Sequence, residues 1–138
     1  MSTKKDKFNR KDHFYMNLAL NLARDRLGLT GENPSVGSVI VKNDEIISTG
    51  QTGLGGRPHA EYNAIESSKK NLKGATMYTS LEPCTHYGKT PQCSDIIIRS
   101  KIKEVVFSII DPDIRTKLKS FKIFKAKNIK VKFGLLQK

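Results

Sequence analysis

Apolar side chains recur with helical period near the start of the chain, and Tyr15, Leu18, Ala19 and Leu22 predict a helix over residues 12–27. Asp12 is placed to cap that helix and Leu27-Gly28 to end it. Thr30-Gly31-Glu32-Asn33-Pro34 is loop chemistry. A short β-branched run from Val36 to Val41 then meets Lys42-Asn43-Asp44, which turns the chain into Glu45–Ser48 as a hairpin. Gly50 to Pro58 carries four glycines and predicts a loop. A helix over His59–Lys70 opens directly after Pro58, with Gly74 past its end. Ala75–Leu81 reads as a strand, Glu82–Gln92 as a polar loop, Cys93–Ser100 as a helix and Glu104–Ile110 as a strongly apolar strand. Leu118, Phe121, Ile123 and Phe124 predict a helix ending near Asn128. Ile129, Val131 and Phe133 alternate with lysines, as in a half-exposed last strand. Helices alternating with strands favour a single sheet covered on both faces.

Length and composition narrow this further. The chain has 138 residues, 37% of them hydrophobic, which suits one domain over 1–138 with a flexible basic tail at 1–11. No run approaches the roughly 18 apolar residues of a membrane helix, and no apolar signal core follows Met1–Lys7. Two cysteines are too few for a disulfide-stapled secreted scaffold. The expectation is a soluble cytoplasmic protein without a membrane partner.

The net charge of +12 suggests a nucleic-acid binder until it is mapped. Residues 1–12 hold five Lys/Arg against two Asp, and residues 113–138 hold nine against one. The hundred residues between them hold eleven against ten and are near neutral. A nucleic-acid groove runs its cations through the site itself, so lysines on solvated faces are the preferred reading, with a modest field able to draw in a phosphorylated small molecule.

One constellation carries chemistry. His59-Ala60-Glu61 opens a helix, Glu82-Pro83-Cys84 follows a strand and Cys93 opens another helix. One imidazole and two thiols suit zinc, and three protein ligands leave the fourth tetrahedral position to water, as in catalytic sites. Glu61 lies two residues past His59, so it can face the same pocket and handle protons without being a ligand. The positive ends of both helices favour thiolates there. The competing readings are plainer: cysteines as small buried hydrophobes, a Cys84–Cys93 disulfide, Glu61 as an ordinary first-turn acid, or His86 as the fourth ligand of a structural site. His13 reads as a surface residue and Ile65 as core, while Asn63 is placed to line the pocket.

The pattern H-x-E…P-C-x-x-C marks the zinc deaminases, and His59-x-Glu61 with Pro83-Cys84 matches it, but eight residues separate Cys84 from Cys93. That longer form, Glu82-Pro83-Cys84-Thr85-His86-Tyr87-Gly88-Lys89-Thr90-Pro91-Gln92-Cys93, resembles the diaminohydroxyphosphoribosylaminopyrimidine deaminases of riboflavin biosynthesis. Asn33-Pro34-Ser35-Val36-Gly37, Gly55-Gly56-Arg57-Pro58-His59-Ala60-Glu61 and Asp111-Pro112-Asp113 agree, so the similarity runs from about Tyr15 to Leu136. The resemblance implies a three-layer α/β/α, cytidine-deaminase-like domain around a mixed sheet of about five strands. It implies one Zn²⁺ per chain on His59, Cys84 and Cys93, with Glu61 as the proton carrier. Asn33, Thr52, Ala60, His86 and Lys89 are implied as substrate contacts, Lys89 being apt for a phosphate.

The implied reaction is hydrolytic deamination of 2,5-diamino-6-ribosylamino-4(3H)-pyrimidinone 5′-phosphate. A homo-oligomer is implied too, as is a reductase, fused or separate, because 138 residues leave no room for one in this chain. Two positions depart from the family: Thr52 stands where many relatives have histidine, and Ile114–Ser120 replaces a small, Gly-rich stretch after the Asp-Pro pair. The rival readings are a nucleobase or tRNA deaminase of the same superfamily and a non-catalytic, zinc-stabilised module that binds RNA or a reductase.

Overall fold

Asn9 starts the first helix. Its side chain accepts from the Asp12 amide at 2.8 Å, and Asp12 in turn accepts from the Asn9 amide at 3.0 Å, a reciprocal capping box. Helix α1 (Arg10–Asp25) therefore begins two residues earlier than the hydrophobic pattern predicts, and Asp12 is its third residue rather than its cap. Arg10 and Lys11, expected in the basic tail, are helical. The computed structural model describes residues 8–84, 93–109 and 118–135.

The chain continues through β1 (Gly37–Lys42), β2 (Glu45–Gln51), a 3-10 turn at Leu54–Gly56, α2 (Ala60–Ser67), β3 (Thr76–Leu81), α3 (Cys93–Arg99), β4 (Glu104–Ile109), α4 (Lys119–Ala126) and β5 (Lys130–Phe133). The strands form one mixed sheet in the order β2-β1-β3-β4-β5. β1 runs antiparallel to β2 and β3, while β3, β4 and β5 are parallel. The hairpin turns on Asn43 and Asp44, whose φ values of 53° and 63° suit a two-residue turn between twisted strands.

The sheet is covered on both faces, as expected of three layers. Tyr15, Met16 and Ala19 of α1 pack on Val39, Val41, Tyr78 and Val106. On the opposite face Ala64 of α2, Ile97 of α3 and Phe124 of α4 pack on Ile40, Met77, Val105 and Phe107. Each fully buried aliphatic side chain in these layers contributes about 1.5–3 kcal/mol.

Three local expectations are corrected. Gly50 belongs to β2, not to a loop: it is glycine because α2 lies on it, and a Cβ there would stand 2.3 Å from the Ala60 carbonyl oxygen and 2.4 Å from the Ala64 nitrogen. Gly37 does the same for α1 on the other face, with the Ala19 carbonyl in its path. Helix α2 stops at Ser67 rather than Lys70. The Ser68 hydroxyl there accepts from the Lys70 amide at 3.1 Å and Asn71 Oδ1 from the Lys73 amide at 2.8 Å, local bonds that compete with helix continuation. Lys132 of β5 turns inward: its ammonium lies 3.2 Å from Asp12 Oδ2 and 3.8 Å from Glu104 Oε2.

Two substitutions test this architecture. Gly50→Ala is expected to lower unfolding free energy by at least about 2–3 kcal/mol in urea titrations, because backbone must move to admit the methyl group; wild-type stability would mean that α2 does not rest on this strand. Asp12 is buried, which raises its pKa, but bonds from Tyr78 Oη (2.5 Å), the Asn9 amide and Lys132 outweigh that and hold it below the ordinary range. With the folded value depressed, the stabilisation is present above about pH 4 and is lost as pH falls through the folded value. Asp12→Asn should cost about 1–3 kcal/mol at pH 7 and flatten the acid limb of stability; equal stability at pH 7 with an unchanged acid limb counts against the network.

Candidate active site

Three elements deliver the cluster. Pro58 leads into His59, the N-cap residue of α2, so the imidazole and Glu61 both stand at the start of that helix. β3 runs out into Glu82-Pro83-Cys84, and Cys93 is the first residue of α3. The His59, Cys84 and Cys93 donor atoms all lie within 4.8 Å of one another. His59 Nδ1 is 3.7 Å from Cys84 Sγ and 3.4 Å from Cys93 Sγ.

Those spacings fit a tetrahedral metal. Bonds of about 2.0–2.1 Å to nitrogen and about 2.3 Å to sulfur place the donors about 3.5–3.6 Å apart, between the two observed values. Both cysteines are free thiols, which sets aside the disulfide reading. The Cys93 amide donates to Cys84 Sγ at 3.3 Å and the Ser94 amide to the Cys84 carbonyl at 3.1 Å, so the start of α3 orients the Cys84 turn.

The electrostatics point the same way. A hydrogen bond from Cys93, with help from His59, draws the Cys84 thiol down to about 4 against its own desolvation. The Cys84 sulfur and burial push Cys93 far up. Bonding to Cys84 raises His59. Glu61, 4% exposed, is pushed up to about 7 by burial and then by the Cys84 charge. Three acids beside one imidazole cannot all ionise together, and a divalent cation removes that conflict: a coordinating thiol gives up its proton outright.

The loops behind the cluster are tied by side chains expected to meet substrate. Asn33 Nδ2 donates to the Gly56 carbonyl at 2.9 Å. Thr52 is 1% exposed, and its hydroxyl accepts from the Val36 amide at 2.9 Å while donating to the Pro34 carbonyl at 3.1 Å. Ala60 is buried as the first residue of α2. Asn63, expected to line the pocket, donates to the Gln51 carbonyl at 2.7 Å and the Pro58 carbonyl at 3.2 Å, fastening the turn that carries His59. His86 and Lys89 lie outside the described residues, as does the Asp111–Asp113 segment. His13 is exposed, and Ile65 packs against the core.

Sequence reasoning passed over Glu82. Its carboxylate accepts from the Leu118 amide at 3.0 Å and from the Ser120 amide and hydroxyl at 3.2 and 2.7 Å. An acid before Pro-Cys is visible in the sequence; partners 36 and 38 residues away are not.

Comparison with known proteins agrees with this geometry. The profile of the cytidine and deoxycytidylate deaminase zinc-binding region matches residues 9–109. A diaminohydroxyphosphoribosylamino-pyrimidine deaminase of Buchnera aphidicola subsp. Schizaphis graminum is 44% identical over 93% of this chain and 87% of its own length. The riboflavin biosynthesis protein RibD of Aquifex aeolicus is 51% identical over 74% of this chain, but the match spans only 29% of that longer protein. The solved structure of Acinetobacter baumannii RibD superposes with a TM-score of 0.87 at 39% identity, covering 91% of this chain and 35% of that one. The chain thus belongs to the zinc-binding cytidine and deoxycytidylate deaminase family and, within it, to the diaminohydroxyphosphoribosylaminopyrimidine deaminases.

Proposed function

We propose that this chain hydrolyses the 2-amino group from 2,5-diamino-6-ribosylamino-4(3H)-pyrimidinone 5′-phosphate. Water adds its oxygen to the amine-bearing carbon, the carbon–nitrogen bond breaks, and 5-amino-6-ribosylamino-2,4(1H,3H)-pyrimidinedione 5′-phosphate and ammonia leave. The observation that carries the reading is the convergence of His59 Nδ1, Cys84 Sγ and Cys93 Sγ with a buried carboxyl two residues past the histidine. A zinc ion held by those three donors supplies Lewis-acid activation of water at neutral pH. Glu61 takes the water's proton, passes it to a ring nitrogen and later protonates the departing amine. Asn33 and Ala60, with His86 and Lys89, hold the pyrimidine and its phosphate, while Thr52, buried and bonded to Val36 and Pro34, braces the loop behind them. No oxidant or reductant enters the balance.

The charge map favours a small substrate over a nucleic acid. Lys73, Lys101, Lys103 and Lys130 gather where the parallel strands begin, joined there by Gly74 N–H to the Lys101 carbonyl and Lys130 N–H to the Lys103 carbonyl. Cys84 lies past the opposite end of β3. A polyanion on those lysines is held away from the zinc ligands.

The same reading includes a cytoplasmic setting, which free thiol ligands favour. Among the described residues no helix is long and apolar enough to cross a membrane. It also includes a reductase that consumes the product, as a fused or separate domain. Association of copies is supported by exposed Leu27, Leu29 and Leu54 around the turn where the Gly55 amide bonds the Leu29 carbonyl.

Ammonia release from the phosphorylated diaminopyrimidine, measured against cytidine and guanine, tests the assignment; preference for either competitor overturns the substrate. Glu61→Gln should keep zinc, assayed by metal content, while kcat falls about 10²–10⁴-fold. Undiminished turnover in that variant removes Glu61 from the mechanism.

A further inference from the structure

Glu82 has no part in the chemistry above, yet it is one of the more heavily engaged side chains near the cluster. It is 4% exposed, and both carboxylate oxygens face the start of α4: Oε1 accepts from the Leu118 amide, Oε2 from the Ser120 amide and hydroxyl. Helix α4 needs that help. Its N-cap residue, Leu118, sits in the left-handed region at φ 57° and offers no side-chain cap. Glu82 therefore caps the helix from a distant part of the chain, satisfying amides that otherwise stay orphaned. Ser120, its strongest partner, is fully buried.

Two residues further on, Cys84 is fixed from the other side, its carbonyl by the Ser94 amide and its sulfur by the Cys93 amide. The segment Glu82-Pro83-Cys84 is thus held at one end by α4 and at the other by α3, with a rigid proline between the two anchors. A cysteine at the end of a strand is otherwise free to swing with its loop. With both anchors made, Sγ lies 3.7 Å from the His59 nitrogen.

We propose that Glu82 is a positioning residue of the metal site: its bonds to Leu118 and Ser120 hold the Cys84 turn in register with His59 and Cys93, and so govern how long zinc stays bound. The inference rests on reading His59, Cys84 and Cys93 as zinc ligands. It separates Glu82 from a role confined to stabilising α4, which affects melting temperature and not metal release.

The test follows zinc release from the zinc-loaded full chain into excess chelator, monitored by a colorimetric zinc indicator, beside thermal melts. Glu82→Gln places an amide NH₂ against backbone donors and should speed release at least about tenfold, within the range typical of groups that support metal ligands. Ser120→Ala keeps both backbone bonds and removes the shortest one, so its release rate should fall between wild type and Glu82→Gln. Asp12→Asn is the control: it destabilises the opposite face of the sheet and should leave release within about twofold of wild type at a comparable loss of melting temperature, as distant sites act independently.

Zinc held equally by wild type and both variants overturns the role of Glu82 while leaving the metal site standing. So does an Asp12→Asn protein that releases zinc as fast as Glu82→Gln. If Glu82→Gln does not fold, Ser120→Ala decides alone, and an unchanged release rate refutes the inference. A wild-type chain that takes up no zinc brings down the metal reading and this inference together.

Discussion

Buried Cys93 and Glu61 and half-buried Cys84 meet a single half-buried imidazole, and in that company not all three acids can be charged at once. Hydrogen bonds and the imidazole draw the Cys84 thiol down, while its sulfur and the loss of water push Cys93 and Glu61 up. Evolution has no structural reason to collect such groups, since replacing them with aliphatic side chains of equal volume removes the desolvation cost. A divalent cation reverses the balance, turning mutual repulsion into shared attraction. The cluster is therefore intelligible as a metal centre and hard to account for as packing.

Everything near it serves to bring three elements to one point. α2 must lie close enough to the sheet for His59 and Glu61 to reach over the end of β3, and Gly50 permits this by having no side chain under the helix. Asn63 fastens the turn before His59 to the end of β2, and Thr52 fastens that same stretch to the chain before β1. α3 begins on Cys93 and sends its first amides to Cys84. None of these groups touches a reacting atom, yet each removes a freedom that would spread the donors apart.

Much of this was visible along the chain, for a physical reason. Strand and helix periods depend on local burial, so the hairpin at Asn43-Asp44, the apolar strand from Glu104 and the helix opening on Cys93 were each predicted within a residue or two. The candidate metal ligands stand out because their chemistry is rare and two of them sit at element boundaries. Tertiary demands were not visible. Gly50 looked like loop punctuation because glycine signals both a turn and a close approach, and only the helix above it distinguishes them. Lys132 looked solvated because its partner, Asp12, lies at the other end of the chain. Thr52 and Asn63 drew attention as polar residues near a site, but the backbone groups they bind belong to other segments.

The buried carboxylates of the described residues, Asp12, Glu61 and Glu82, share a placement that explains how the fold tolerates them. Each meets a helix N-terminus: Asp12 and Glu61 from within the first turns of α1 and α2, Glu82 from afar at α4. Amides that lack helical partners there offer a carboxylate both donors and a favourable dipole. The three then diverge. Asp12 receives Tyr78, Lys132 and the Asn9 amide on its two oxygens, and Glu82 receives Leu118 and Ser120, so both serve as structural acceptors. Glu61 has cysteine sulfur and imidazole for company instead. Burial and the Cys84 charge push its carboxyl up to about 7, and it is the one of the three that stands beside the candidate metal ligands.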